Sequence, residues 1–252
     1  MIRRHRDIQL IEKDAITYLA IACDVSASIG PKVNDRIQVS GETAGYYATT
    51  VPIIELISIG AKPISVTDTL GVEMQGVGEA VIAGVHKAMV EGEINPLCLT
   101  GSTEDNIPTT TTTVGITVIA ELNKDLLEAY TPKEGEHIYV IGLPKMGAEF
   151  LEEEIRGNKG EVMTIETAMS IRRQESIGHM LPVGSKGIAH ELQLLLEMYH
   201  LDMRWAKEIT LDLKKSAGPA GCMIVTCVNQ GVEFLETKIT HPITYLGEVK
   251  KR

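Results

Sequence analysis

A carboxylate, small polar residues, a glycine and a lysine lie within nine residues, at positions 24–32. Asp24 follows a largely apolar run at 15–22, so we expect its oxygens at the mouth of a sheet where a strand ends. Mg²⁺ prefers such hard oxygen ligands and takes only one or two from protein when phosphates and water supply the rest. Lys32 adds a point charge that suits phosphate. The segment indicates phosphate chemistry with magnesium; the alternative is a strand followed by an ordinary polar turn.

Three further polar features follow in order along the chain. Glu55 interrupts an apolar helical pattern, and carboxylates are rarely buried unless they are paired or bind a metal. Asp68 stands at the end of the next predicted strand, and residues 100–106 form a small polar loop after another strand. The five threonines at 109–113 indicate a β-prone edge, or hydroxyls placed beside a phosphate or base.

Composition excludes several classes of function. The 252 residues include 24 Lys and Arg against 34 Asp and Glu, a formal net charge of −10. A nucleic-acid polymer would require a basic patch or stripe. No apolar run approaches the roughly 18 residues of a membrane span, and the basic start at 1–6 lacks the apolar region of a signal peptide. We therefore expect a cytoplasmic protein with a small-molecule partner, no nucleic-acid polymer and no membrane.

The cysteines and histidines give no sign of a zinc site. No Cys or His pairs have zinc-ligand spacing, so buried reduced thiols are the expectation for all four cysteines. These are Cys23, Cys98, Cys222 and Cys227.

Strands interleaved with helices predict a two-layered α/β or α+β protein. Predicted strands cover 16–23, 35–39, 64–70, 96–100, 113–122, 137–144, 209–213 and 222–228. Predicted helices cover 42–59, 76–91, 187–200 and one beginning over 148–155, with Pro52 marking the first turn of the first helix. The composition turns polar around 128–136, which predicts two domains, 1–128 and 129–252.

The order of these motifs resembles the aminoimidazole ribonucleotide synthetase superfamily, with thiamine-monophosphate kinase, selenophosphate synthetase and the hydrogenase-maturation carbamoyl dehydratase. Residues 24–32 are similar to its D-G-V-G-T-K segment with two extra residues. Residues 54–63 resemble its N-D-[LI] and G-A-x-P motifs, and 100–105 resemble its G-G-E/D loop. The resemblance covers about residues 15–122; glycine-rich segments at 182–187 and 216–221 match more loosely.

The resemblance implies an α+β protein. Its N-terminal α+β domain would bind ATP and Mg²⁺ and pair its sheet with a second copy in a dimer barrel, while a C-terminal α/β domain completes the acceptor pocket. The implied metal ligands are Asp24, Glu55, Asp68 and Glu104. The implied nucleotide-binding residues are Ser26, Ser28, Gly30, Lys32, Gly101, Ser102 and Thr103. The implied catalytic residues are Asp24, Lys32 and Asp105.

The chain departs from the family pattern at two positions. Glu55 replaces an aspartate, and Ser102 replaces an acidic residue, so Glu104 or Asp105 is expected to supply the missing carboxylate. Motifs that distinguish sister enzymes are also absent. No double-Asp motif precedes Asp24, residues 1–14 contain no cysteine, and the sequence ends in basic residues at 250–252 rather than in a reactive cysteine.

The compact pattern D-x-S-x-x-I-G-x-K at 24–32 instead resembles the α-ribazole kinases of cobalamin lower-ligand salvage. That resemblance implies transfer of the ATP γ-phosphoryl group to a 5′-hydroxyl of a nucleoside-like acceptor, by a homodimer. Two alternatives stay open: another ATP-dependent kinase or synthetase of the superfamily, and a non-catalytic nucleotide-binding paralogue.

Overall fold

A computed structural model of the chain describes residues 1–150 and 159–252. The chain divides into two compact units, Met1–Lys124 and Asp125–Arg252. No helix in the described ranges is both long enough and apolar enough to cross a membrane.

The N-terminal unit is built on a six-stranded sheet with strand order β1-β2-β3-β8-β6-β7. Its strands are β1 (Ile2–His5), β2 (Ile8–Glu12), β3 (Thr17–Ala27), β6 (Lys62–Leu70), β7 (Leu99–Thr103) and β8 (Thr113–Asn123). All neighbours are antiparallel except β6 and β7, which are parallel. A separate short parallel pair joins β4 (Ile29–Gly30) to β5 (Ile37–Gln38).

Strand β8 is the inner strand on which the two halves of this sheet meet. It pairs with β3 on one side and with β6 on the other. Every second side chain from Val114 to Leu122 is buried, while the residues between them are only partly covered. This period of two is the signature of a strand with one face against the core. The strand predicted over 113–122 is confirmed.

Two helices complete the N-terminal unit: α1 (Gly41–Ser58), which packs against β3, β8 and β6, and α2 (Glu79–Glu91), which packs against α1. The Ser40 hydroxyl caps α1 by accepting from the Thr43 N–H at 3.0 Å. The helices cross at Gly45 and Gly84. A Cβ at Gly84 would lie 2.0 Å from the Glu42 carbonyl oxygen, so the two backbones touch.

Several predicted details in this unit are wrong. Pro52 lies inside α1 and not in its first turn, because the helix that Ser40 caps starts at Gly41, eleven residues before Pro52. Strand β3 runs three residues past Asp24, which therefore lies within the strand. Pro96–Cys98 forms a short 3-10 helix and not the predicted strand. Strand β7 begins at Leu99 and runs to Thr103 at the sheet edge, where a loop was expected from residue 100. Only Ile37–Gln38 of the strand predicted over 35–39 forms.

The C-terminal unit contains a five-stranded sheet with strand order β10-β12-β9-β13-β11, and all its neighbours are antiparallel. The strands are β9 (His137–Gly142), β10 (Ile177–Pro182), β11 (Leu201–Trp205), β12 (Cys222–Cys227) and β13 (Ile243–Lys251). The described helices are α3 (Lys124–Ala129), which begins at the boundary, α4 (Ile165–Arg172), α5 (Gly187–Met198) and α6 (Asn229–Lys238). The antiparallel sheet corrects the expected α/β domain to an α+β one.

The strand predicted over 209–213 is wrong, because this segment has no regular secondary structure. Its alternating side chains Ile209, Leu211 and Leu213 still pack against the apolar core of the unit. The Asp212 carboxylate accepts from the Lys214 N–H at 2.9 Å and turns the chain. The helix predicted to begin over 148–155 reaches into residues 151–155, which lie outside the described ranges.

Candidate functional site

Two of the predicted carboxylates stand in one row across the N-terminal sheet. Asp24 of β3 and Asp68 of β6 are both in register with Ile116 of β8, one on each side of it. Cross-strand partners point to the same face, so both carboxylates share the face on which Ile116 is buried. Two strand spacings put their Cα atoms about 10 Å apart.

Gly101 extends this row by one strand, because it is the register partner of Asp68 on β7. A Cβ at Gly101 would lie 1.5 Å from Asp68 Oδ1, so the carboxylate occupies the space above the glycine. Asp68 is only 3% exposed. The buried Asp68 carboxylate can therefore take this position only because residue 101 is a glycine.

Both carboxylates are held in surroundings that disfavour their charge. Burial raises the pKa of Asp24, with a smaller opposing effect from the Val25 N–H. Burial also raises the pKa of Asp68, while His86 of α2 and the Ser102 N–H act in the opposite direction. Within residues 1–150 and 159–252, no Lys or Arg forms an ion pair with either group. A bound cation would relieve this cost.

The donor chemistry of this row fits a magnesium ion that arrives with nucleotide phosphates. In the described part of the chain, no three His, Cys, Asp or Glu side chains come close enough to form a metal cage. Mg²⁺ needs no such cage, since one or two carboxylates suffice when phosphates and water complete its shell. Asp24 and Asp68 share this face, but the Asp68 carboxylate lies over Gly101, on the side away from Asp24, so each would act as a separate ligand.

The neighbouring row brings two more predicted residues to the same face. Ser26 pairs with Val114, which pairs with Leu70, whose partner on β7 is Thr103. Ser102 belongs to the opposite face of the sheet, because it pairs with Thr69. Its backbone N–H acts on the Asp68 carboxylate, while its hydroxyl does not share the face of Asp24 and Asp68.

Lys32 is held by a glutamate that the sequence reasoning missed. Its ammonium donates to Glu73 Oε2, and the Lys32 side chain is only 17% exposed. Glu73 also accepts from Thr109, through the backbone N–H at 2.8 Å and through the hydroxyl at 3.1 Å. The hydrogen bond from Lys32, followed by backbone N–H groups, lowers the pKa of Glu73 to about 2.

The segment that carries Lys32 is fastened to the threonine run by a second buried carboxylate. Asp35 accepts from the Thr112 N–H and hydroxyl, each at 2.7 Å, and from the Lys32 N–H at 2.8 Å. A Cβ at Gly30 would lie 2.3 Å from Thr112 Oγ1, so glycine is required where the segments touch. The Ser28 N–H donates to the Thr112 carbonyl at 2.8 Å. The threonine run therefore includes buried contacts and is not simply an exposed strand edge.

The two acidic residues after β7 make local contacts. Asp105 accepts from the Met74 N–H at 2.7 Å and from the Thr103 hydroxyl at 3.2 Å, which ties the end of β7 to the turn that follows β6. Glu104 Oε1 accepts from the N–H groups of Asn106 and Ile107 and shapes its own turn. Glu55 lies half-buried in α1.

Glu73 and Asp35 had weak signals in the sequence. Glu73 is the single acid between Leu70 and Val77, directly after a strand. Asp35 closes a turn in which its own N–H donates to the Lys32 carbonyl at 3.0 Å. Such turn aspartates are common on surfaces. Only the fold shows that the Asp35 carboxylate is buried against Thr112.

The two glycine-rich segments of the C-terminal unit lie against each other. The Ala217 N–H donates to the Gly184 carbonyl at 3.2 Å. Gly187 has φ +80°, and a Cβ there would lie 2.8 Å from the Lys214 carbonyl oxygen. The two segments thus contact each other at the start of α5, and about half of their residues are buried.

Solved structures share this fold at low sequence identity. AaThiL complexed with AMPPCP and TMP superposes with a TM-score of 0.66 at 13% identity, over 98% of this chain and 85% of that one. Thiamine-monophosphate kinase from Stenotrophomonas maltophilia gives 0.66 at 16% identity, over 100% and 89%. The hydrogenase maturation protein HypE in complex with ATP gives 0.61 at 17% identity, over 92% and 77%.

No family model matches the chain, and no curated protein sequence does. The structural neighbours include members of the superfamily that the motifs resemble. The chain therefore has the fold of the thiamine-monophosphate kinases and of HypE.

Proposed function

We propose that this protein is an ATP-dependent kinase that phosphorylates the 5′-hydroxyl of α-ribazole. The observation that carries the ATP-dependent chemistry is the row of Asp24 and Asp68, two desolvated carboxylates on one sheet face that form no ion pair with a Lys or Arg of the described residues. Their need for a cation matches a magnesium–nucleotide complex. Neighbours of the same fold were solved with AMPPCP and with ATP.

Phosphoryl transfer depends mainly on positioning and on neutralising charge. Asp24 and Asp68 would hold magnesium, which when bound would supply neutralisation of the phosphate charge. Lys32 supplies a fixed positive charge for the phosphate oxygens. The Ser26 and Thr103 hydroxyls on the adjacent row would donate to the nucleotide, and Ser28, Gly30, Gly101 and Ser102 remain proposed as further nucleotide-binding residues.

Three acidic residues complete the proposal in lesser roles. Among the described residues, Glu55 and Glu104 form no metal-binding group with two other carboxylates, so they are proposed only as ligands of a metal ion apart from the row. Asp105, or Glu104 beside it, would accept the proton of the acceptor hydroxyl or orient it. The carboxylate oxygens of Asp105 have further acceptor capacity beyond their bonds to Met74 and Thr103.

The choice of α-ribazole rests on the spacing of Asp24, Ser26, Ile29, Gly30 and Lys32. Thiamine monophosphate is the second candidate, because AaThiL was solved with TMP and covers nearly this whole chain. The paired glycine-rich segments of the C-terminal unit are proposed to contact the acceptor. We further propose that the protein is a homodimer paired through its N-terminal sheets.

A panel of acceptors tests the assignment. Purified protein is incubated with ATP, Mg²⁺ and either α-ribazole, thiamine monophosphate or formylglycinamidine ribonucleotide, and products are measured by mass spectrometry. We expect ADP and α-ribazole heavier by one phosphate. Turnover of another acceptor alone would disprove the substrate but keep the ATP-dependent chemistry. If the protein neither binds ATP nor turns over any of these acceptors, both the substrate and the ATP-dependent chemistry are disproved.

A further inference from the structure

Glu73 makes more contacts than an ordinary surface ion pair. Its two carboxylate oxygens accept from the Lys32 ammonium and from both the N–H and the hydroxyl of Thr109. The Glu73 side chain is 29% exposed and that of Lys32 is 17% exposed. In this unit the Lys13–Glu121 pair shows the contrast, since its side chains are 46% and 42% exposed. Exposed ion pairs of that kind contribute little to the stability of the fold.

The peptide group that follows Glu73 is held at both its carbonyl and its N–H. The Gly78 N–H donates to the Glu73 carbonyl at 3.0 Å. The Met74 N–H donates to Asp105 Oδ1 at 2.7 Å, so the turn after β6 is tied to the end of β7. The carboxylate of Glu73 is therefore presented from a constrained turn and not from a free loop.

Lys32 is consequently held both at its backbone and at the ammonium end of its side chain. Its backbone N–H donates to Asp35 Oδ2 at 2.8 Å, and Asp35 is itself bound to Thr112. Its ammonium donates to Glu73. A lysine side chain has four rotatable bonds, and fixing it before the reaction removes an entropic cost from the transition state.

We propose that Glu73 is a positioning residue that holds the Lys32 ammonium in place for the transferring phosphate. This inference rests on the proposed function. An ammonium has three N–H donors, so one bond to Glu73 leaves two for phosphate oxygens. If Glu73 instead competes with phosphate for Lys32, its removal should raise kcat or lower the KM for ATP. The test described next distinguishes these two results.

The test compares Glu73→Gln with the wild-type protein in ADP formation with its acceptor. Glutamine keeps the length of the side chain and an oxygen for Thr109 but removes the charge that holds Lys32. We expect kcat to fall at least about tenfold, with the KM for ATP changed less than about threefold. Glu121→Gln, which breaks the exposed pair with Lys13, serves as the matched control and is expected to leave both constants unchanged.

A double-mutant cycle with Lys32→Met then asks whether Glu73 acts through Lys32. In the Lys32→Met background, Glu73→Gln is expected to have no further effect on kcat. An equal loss in both backgrounds would overturn the inference, because Glu73 would then act by another route. If Glu73→Gln does not fold, Glu73→Asp replaces it with the same expected loss, since its carboxylate is one methylene shorter.

The remaining outcomes separate this inference from the proposed function. Active wild-type protein with an unchanged Glu73→Gln variant would overturn the role of Glu73 and leave the kinase assignment intact. A Glu73→Gln variant with higher kcat or lower KM would show that Glu73 competes with phosphate, and this result would also overturn the positioning role of Glu73. Wild-type protein that neither binds nor turns over ATP would overturn both.

Discussion

The carboxylate of Asp68 fills the space that a side chain at Gly101 would occupy, since a Cβ there would lie 1.5 Å from Asp68 Oδ1. The two residues are register partners on the parallel strands β6 and β7. Asp68, a candidate metal ligand, therefore depends for its position on Gly101, although the two residues are 33 positions apart in the sequence.

Gly101→Ala is therefore expected to destabilise the N-terminal unit by roughly 1–3 kcal/mol, the range for inserting a methyl group into a packed site. Urea denaturation followed by circular dichroism measures this. Gly160→Ala is the control, because a Cβ at Gly160 meets nothing within 4 Å. Asp68→Ala in the Gly101→Ala background should restore part of the loss. If Gly101→Ala is as stable as the control, the proposed packing is incorrect.

Asp24→Asn is expected to lower ATP turnover by more than tenfold, an increase of at least about 1.4 kcal/mol in the barrier. The amide keeps the shape of the side chain but loses the charge that a magnesium ion requires. ADP release at saturating ATP and Mg²⁺ measures the effect. Turnover above about a tenth of the wild-type rate would exclude Asp24 as a main ligand.

The same substitution should make the protein more stable in EDTA at pH 7. Burial raises the pKa of Asp24 above its unfolded value, so the folded state pays for the ionised carboxylate at neutral pH. As the pH falls toward the raised pKa, the carboxyl takes up a proton preferentially in the folded state, and this penalty disappears. Asp24→Asn should therefore have a higher melting temperature at pH 7, with the gain shrinking at lower pH. A lower melting temperature at pH 7 would contradict this.

The thiols of the C-terminal unit should be unreactive in the folded protein. Burial raises the pKa of Cys222 and of Cys227 to about 12 each, and both are buried in β12. Cys23 is exposed, so the expectation of four buried thiols is wrong for this residue. Because the thiolate is the nucleophile, iodoacetamide at pH 8 should label Cys23 first and reach Cys222 and Cys227 only after unfolding. Peptide mass spectrometry follows each site. Rapid labelling of Cys222 in native protein would disprove the expected protection.

The sequence predicts best those elements whose side-chain period records burial on one face. Strand β8 could be predicted because an apolar residue stands at every second position from Val114 to Leu122, with mostly Thr, Gly and Glu between them. The segment 209–213 has the same alternation, yet it packs on the core without a neighbouring strand. Alternation therefore reports burial, and pairing depends on where the rest of the chain lies.

Strand β1 could not be predicted from the pattern, because it is largely basic and has no apolar face that stands out. Strand β11 does alternate Leu201, Met203 and Trp205 with Asp202 and Arg204, so its sequence has the period of a half-buried strand. At the candidate site, the aspartates of the row could be predicted from local motifs. The link between Lys32 and Glu73 spans 41 positions, and only the folded chain brings the two together.

The place of β8 between β3 and β6 also affects how the protein is synthesised. Before residue 123 leaves the ribosome, the sheet of the N-terminal unit can exist only as two fragments, β1-β2-β3 and β6-β7, with no strand to join them. Each fragment presents an open edge that could pair with other nascent chains. Nascent chains halted before Thr113 should consequently depend on chaperones, and proteolysis of stalled ribosome complexes would detect a compact core only once β8 has emerged.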